Sequence, residues 1–276
     1  MNVSEKRLIA LDVDGTLLNS RKEIEPETAR AVREAAASGM IVAYDTGRAV
    51  TELEDLFSAL PEMRYAVFSS GAGIYDREER KAFALRPLSV QSVRSVLRIA
   101  RGKDLMPQIV LEDRDVIQES HMEHLERYHM GIYRPMYEKA MTLVPDIYAF
   151  AEAHEDRVLK LNLYHADPEE RVRTRQQLSG MELVYSEVSS LECSAPGVNK
   201  GTGLERLCGL LGIRPENCAV VGDADNDIPM LKSAGTGIAM GNAAPDIRRA
   251  ADRTVPDLDH GGCAEAIRFW MKKGKD

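Results

Sequence analysis

Four runs in the outer thirds of the chain are almost solidly apolar and then stop abruptly at polar or glycine residues: "RLIALDVD", "MIVAYDTG", "CAVVGD" and "TGIAMG". A strand without polar alternation has both faces covered, and strands separated by helices pair in parallel. Helical stretches do separate them. "EPETARAVREAAASG" carries Pro26 near its start, apolar positions at Ala29, Val32 and Ala36, and Gly39 as a stop. "AVTELEDLFSALP" is a second helix ended before Pro61, and "YAVFSSGAGIYD" is a further strand running into a glycine turn. After residue 198, "NKGTGLERLCGLLGI", "DIPMLKSAG", "APDIRRAA" and "GCAEAIRFWMKK" read as helices between strands. The pattern predicts an α/β fold with a doubly wound, Rossmann-like parallel sheet as its core.

The middle of the chain is patterned differently. "SVQSVRSVLRIARG" is a helix with Val90, Val93, Val96, Leu97 and Ala100 on one face. "QIVLED" and "DVIQES" form a hairpin turning at Asp113–Arg114, and "PDIYAFAEAHE" is a helix. "VLKLNLYHA" alternates at Leu159, Leu161 and Leu163, which predicts a half-exposed strand with one open sheet face. "DPEERVRTRQQLSG" offers Asp167 as N-cap, Pro168 at the first helical position and Gly180 as the stop, and "MELVYSEV" and "LECSA" close the segment as strands. Residues 121–144 fit no element. The expected organisation is a core of residues 1–84 and 191–276, with a second, α+β domain at 85–190 inserted into it.

A chain of 276 residues fits two domains and builds its core without staples. Its net charge of −8 argues against nucleic acid or an anionic membrane as partner. No apolar run approaches the roughly 18 residues of a membrane span, and "MNVSEKRLIALD" has no signal-peptide pattern. Cys193, Cys208, Cys218 and Cys263 form no CxxC pair and read as small buried hydrophobes in a reducing cytoplasm.

Four polar clusters sit at strand or helix ends: Asp12-Val13-Asp14-Gly15-Thr16, Thr46-Gly47-Arg48, Asn199-Lys200, and Gly222-Asp223-Ala224-Asp225-Asn226-Asp227. In an open parallel sheet the carboxyl ends of the strands share one edge, where ligands bind. Asp12, Asp14, Asp223 and Asp227 are therefore expected to meet there with Lys200, Thr46 and backbone amides. Four carboxylates in one cleft require a cation, and hard oxygen donors without His or Cys favour magnesium. A divalent ion, a lysine, a hydroxyl and glycine-flanked amides suit a phosphate group. Residues i and i+2 of an extended strand point the same way. One of Asp12 and Asp14 then attacks phosphorus, and the other handles the proton of the leaving oxygen.

"DVDGTLL", "TGR", "GVNKG" and "GDADND", in that order, resemble the four motifs of the haloacid dehalogenase-like phosphohydrolases, and the insertion between the second and third matches the Cof-type subfamily. The resemblance implies a magnesium-dependent phosphatase acting on a small phosphorylated metabolite, such as a sugar phosphate or a cofactor phosphate, with the insert as a mobile α/β cap. It implies Asp12 as the nucleophile that forms an aspartyl-phosphate, and Asp14 as acid and then base. Magnesium would be held by Asp12, the Asp14 carbonyl, Asp223 and Asp227 (the last as ligand or outer partner). Thr46, Gly47, Lys200 and Asn226 would bind phosphate or substrate, with Arg48 and Asn242 nearby.

Two positions depart from the family pattern. Ser70 stands where relatives often have Asn, and Asp45 is a carboxylate where a small neutral residue is usual; Asp45 is open to pairing with Arg48 or to altering substrate preference. Each motif alone has a plainer reading: DxDG and GDADND as calcium-type loops, Lys200 as a surface lysine. His121, His124 and His129 read as a solvated surface rather than a zinc site, and Tyr133, Tyr137 and Tyr164 as packing. The rival functions are a phosphomutase on a sugar phosphate, a dehalogenase, against which Asp14 argues, and a non-catalytic binder of phosphorylated metabolites.

Overall fold

The structure is a computed structural model that describes residues 6–273; residues 1–5, part of the stretch read for a signal sequence, lie outside it. The described chain forms two compact units. The first comprises the chain up to Gly47, Asp55–Phe83, and the chain from Asn199 on. The second comprises Arg48–Glu54 and Ala84–Val198.

The first unit is built on an eight-stranded sheet. Its order is Arg253–Thr254, Thr236–Ala239, Cys218–Gly222, Leu8–Leu11, Ile41–Asp45, Tyr65–Phe68, Gly73–Asp76 and Lys81–Phe83. The first six run parallel, and the last two extend the sheet antiparallel. Leu8–Leu11 pairs on one side with Cys218–Val221 and on the other with Ile41–Tyr44, and each of its residues is buried. That double cover is why the run is solid rather than alternating. Helix Pro26–Ala37 packs on helix Gly262–Lys273, and helix Lys200–Leu211 on helix Ile228–Ser233. The first helix buries Thr28, Ala31, Val32 and Ala35 rather than the expected Ala29 and Ala36. The 3.6-residue period fits both faces, and the alanine-rich sequence discriminates weakly between them. The third strand ends in the turn Ser69–Gly71 and doubles back as Gly73–Asp76.

The second unit has a six-stranded sheet ordered Glu182–Ser186, Ser190–Ser194, Lys160–His165, Leu105–Val110, Asp115–Gln118 and Met141–Val144. Its pairs are antiparallel except the last. Helices Val90–Ala100 and Ile147–Ala153 supply Val93, Val96, Leu97, Ile147 and Ala151 to a core shared with Ile109, Leu161, Leu163 and Leu191. The expectation of an open face on "VLKLNLYHA" is wrong: all of Lys160–His165 is buried. The short helical turns of residues 121–140 bring Leu125, Tyr128, Met130, Tyr133 and Tyr137 onto Met106, Ile117 and Tyr164 on the other face, and residues 141–144 form the strand Met141–Val144.

Polar residues on that face are paired instead of solvated. Lys160 Nζ lies 3.3 Å from Glu192 Oε1, and Tyr164 Oη and Asn162 Nδ2 donate to Gln108 Oε1 at 2.8 and 3.0 Å. The single turn Val50–Leu53 docks here too, Gln108 Nε2 donating to Glu52 Oε1 at 3.3 Å and Thr51 Oγ1 to Asp115 Oδ2 at 2.9 Å. The expected helix over "AVTELEDLFSALP" is thus that turn followed by the short helix Glu54–Ala59. Asp167 accepts the Glu169 N–H at 3.0 Å and closes a turn, so the helix starts later, at Glu170, and ends at Gln176.

Candidate active site

Strands Cys218–Gly222, Leu8–Leu11 and Ile41–Asp45 are neighbours and parallel, so the residues after each emerge along one edge. Asp223, Asp12 and Thr46 are those residues. Asp12 is 5 % exposed, and its N–H donates to Val221 O at 3.0 Å, prolonging the ladder by one bond.

Helix Lys200–Leu211 brings the cation. Asn199 is its N-cap, its side chain accepting from Thr202 N, which fixes Lys200 as the first helical residue. Lys200 is 1 % exposed, and its Nζ donates to Asp12 Oδ1 at 2.5 Å and to Asp227 Oδ1 at 2.6 Å. A buried ammonium is tolerated only with such partners. Burial disfavours its charge, but Asp12, Asp227 and Asp45 outweigh burial and move its pKa up.

Asp227 is held by its own loop, and Asp223 by side chains from two others. Asp227 is fully buried, and its Oδ2 accepts Asp223 N at 2.8 Å and Ala224 N at 2.9 Å. Asp223 accepts from Thr16 Oγ1 at Oδ1, 3.1 Å, and from Asn242 Nδ2 at Oδ2, 3.0 Å. Gly15, at φ +89°, allows this: a Cβ there would lie 2.3 Å from Asp223 Oδ2. Burial, with Asp227 adding to it, pushes Asp223 up to about 7. Burial likewise raises Asp12 well above the usual carboxylate range, against the pull of Lys200. One lysine therefore does not neutralise this group of acids.

Oxygen atoms of Asp12, Asp223 and Asp227 lie within 4.8 Å of one another with no nitrogen or sulfur ligand in the group, a donor set that fits a hard divalent cation. Among the described residues His121, His124 and His129 join no such group; His121 stacks edge-on against Tyr128, and His129 Nε2 lies 3.2 Å from Ala166 O.

The other expected residues are placed as follows. Thr46 is 1 % exposed, and its N–H donates to Val67 O at 2.9 Å while its carbonyl accepts Ser70 N at 2.9 Å. Gly47 follows it at the end of the first unit's segment. Asn226 is half-buried, with Oδ1 taking no hydrogen bond. Asp14 accepts Lys22 Nζ at Oδ1, 3.0 Å. Asp45 is fully buried, and neither carboxylate oxygen accepts a hydrogen bond. Sequence reasoning put Asn242 near the site without giving it a role, and missed the parts played by Thr16 and Lys22. Asn242 joins Asp223 to the Gly15 carbonyl, at 3.0 Å each, and only the loop after strand Thr236–Ala239 brings it there.

The model of the family described as haloacid dehalogenase-like hydrolase matches residues 9–267 of the chain. The 5-amino-6-(5-phospho-D-ribitylamino)uracil phosphatase YcsE of Bacillus subtilis (strain 168) is 27 % identical over 268 residues, covering 96 % of each chain. The pyridoxal phosphate phosphatase YbhA of Escherichia coli (strain K12) is 26 % identical over 272 residues, covering 95 % of this chain and 97 % of its own. The solved structure of a haloacid dehalogenase-like hydrolase from B. subtilis superposes with a TM-score of 0.83 at 26 % identity, covering 95 % of this chain and 99 % of that one.

Proposed function

The chain belongs to the haloacid dehalogenase-like hydrolases and is a phosphoric monoester hydrolase, and from that premise we propose how its residues divide the work. Asp12 is the nucleophile. Its carboxylate oxygen attacks phosphorus, the bond to the leaving oxygen breaks, and that oxygen takes a proton from the Asp14 carboxyl group. Water then attacks the aspartyl-phosphate and gives a proton back to Asp14, so that phosphate leaves and Asp12 is regenerated.

The observation that carries this reading is the Lys200 ammonium between Asp12 and Asp227 at 2.5 and 2.6 Å. A carboxylate attacking a phosphoryl dianion meets repulsion of about 4 kcal/mol per unit-charge contact at 4 Å and an effective dielectric of 20. Lys200 offsets one such contact and, with Thr46, Gly47 and Asn226, receives the phosphoryl oxygens. Asp12, Asp223 and the Asp14 carbonyl would hold magnesium. Bound there, magnesium would supply the second positive charge beside the phosphoryl group. Both oxygens of Asp227 are already engaged, which supports it as the residue that fixes Lys200 and the Asp223 loop rather than as a direct ligand.

The substrate is a small phosphorylated metabolite, a cofactor or sugar phosphate, a reading supported by the phosphorylated metabolites named for the two relatives. The second unit serves as the cap that selects it. Four buried free thiols support a reducing compartment such as the cytoplasm. The test is phosphate release from a panel of phosphorylated metabolites in magnesium. Asp12→Asn is expected to abolish turnover while leaving the fold intact; turnover retained in that variant would overturn the assignment. An isomeric sugar phosphate as product, with no free phosphate, would establish a mutase instead.

A further inference from the structure

Beyond Asp14 the chain turns back on itself, with bridges Asp14↔Leu18 and Leu18↔Ile24. Asn19 sets the shape of this turn. Its N–H donates to Glu23 O at 2.9 Å, its Oδ1 accepts Arg21 N and Glu23 N at 3.0 Å each, and its carbonyl accepts Lys22 N at 2.9 Å. So framed, the turn puts residue 22 at φ +61°, in the left-handed region. Glycine or asparagine takes that conformation most cheaply, and a long side chain there is a departure with a cost.

The chain nevertheless has lysine, and its ammonium reaches back eight positions to Asp14 Oδ1, 3.0 Å away. Both side chains are largely withdrawn from solvent, 28 % and 24 % exposed. The neighbouring Arg21 shows what an ordinary cation on this turn does: it is 70 % exposed and pairs with Glu23 and Glu25. Lys22 alone is turned inward, onto the residue assigned the proton transfers. A strained backbone position carrying a side chain aimed at a reacting group is a pattern from which function is inferred.

We infer that Lys22 is a positioning residue, which holds the Asp14 carboxyl group in the rotamer that meets the leaving oxygen. This rests on the assignment of Asp14 above. The balance of the reaction is unchanged: the proton passes between Asp14 and the leaving oxygen or water, and Lys22 neither gives nor takes one. Orientation of this kind affects turnover, not the capture of the phosphoryl group.

The experiment compares wild type with Lys22→Met, Lys22→Gly and Lys22→Arg, using p-nitrophenyl phosphate and glycerol 2-phosphate in magnesium, with kcat, KM and Tm read for each. In Lys22→Met and Lys22→Gly, kcat on glycerol 2-phosphate is expected to fall at least about tenfold, a part of what a positioned acid or base supplies. KM should stay within about twofold. The loss should be smaller on p-nitrophenyl phosphate, whose leaving group departs without a proton. Lys22→Arg should recover most of the rate. Lys22→Gly, relieved of the left-handed lysine, should melt no lower than wild type, so that lost activity is not lost fold. The inference is overturned by kcat values within about twofold of wild type in both the Met and Gly variants, or by an Arg variant no better than Met. Absence of phosphate release by wild type from these two substrates and from the whole panel of phosphorylated metabolites in magnesium would overturn the Asp12–Asp14 reading itself, and this inference with it.

Discussion

Asn242 Nδ2 lies 3.0 Å from Asp223 Oδ2 and 3.0 Å from the Gly15 carbonyl, so one amide ties the acid at the end of one strand to the turn that follows another. Its own Oδ1 accepts the Leu258 N–H at 3.1 Å, which fixes the amide's orientation. Groups that orient a metal-ligating carboxylate typically contribute 10–100-fold to metal affinity. Asn242→Ala is therefore expected to weaken magnesium binding by roughly tenfold or more, read by calorimetric titration of the protein with magnesium alone. An unchanged dissociation constant would remove Asn242 from the site.

Asp45 is the chain's clearest internal cost. It is fully buried with two unbonded oxygens, and burial raises its pKa well above the usual range, with Lys200 pulling the other way. A carboxylate whose pKa is higher folded than unfolded contributes nothing unfavourable below its unfolded value near 3.9, and loses stability as pH rises from there toward its folded value. Asp45→Ala removes that loss. The variant should be more stable than wild type at pH 7–8 by about 1–3 kcal/mol, with the difference narrowing toward pH 4. Urea denaturation across that range checks both the sign and the slope.

The strand Lys160–His165 shows where sequence patterning stops. Leu161 and Leu163 were legible as one buried face, and the alternation was read as an open face opposite. What covers that face is remote: Glu192 for Lys160, and Gln108 for Asn162 and Tyr164. Short-range periodicity carries no sign of such partners. The solid runs Leu8–Leu11 and Cys218–Gly222 were legible because a parallel sheet covered on both sides leaves no alternation to misread. The grouping of Asp12 and Asp223 followed from topology, since strand ends in such a sheet share an edge, whereas Lys200 comes from the start of a helix. Lys22 was illegible because a left-handed φ at a lysine has no signature in composition.

Lys160 and Glu192 are 1 % and 7 % exposed at the side chain and 3.3 Å apart. Removing one member of a buried pair leaves the other as an uncompensated charge, at a cost of about 3–5 kcal/mol, whereas replacing both is often near neutral. Lys160→Met is expected to destabilise within that range, and Lys160→Met combined with Glu192→Met to recover part of the loss, the rest falling on the buried Glu52 and Asp115, whose carboxyl groups the ammonium also attracts. A double-mutant cycle by thermal denaturation measures the coupling; additivity would mean that the pair does not act as a unit.

Gly15 and Gly39 separate backbone strain from steric exclusion at the site. Both have φ near +90°, at +89° and +86°, so alanine at either incurs the same left-handed penalty, about 1–2 kcal/mol. They differ in what a Cβ would meet. At Gly39 nothing lies within 4 Å, whereas at Gly15 the Asp223 carboxylate is 2.3 Å away. Gly39→Ala should therefore lower stability by about that penalty and leave kcat and the magnesium requirement as in wild type. Gly15→Ala must displace Asp223 from Thr16 and Asn242 as well. It should lose more stability than Gly39→Ala, and the magnesium concentration for half-maximal phosphate release should rise by about tenfold or more. If the two variants lost equal stability with unchanged magnesium dependence, the contact between Gly15 and Asp223 would have no part in setting the site.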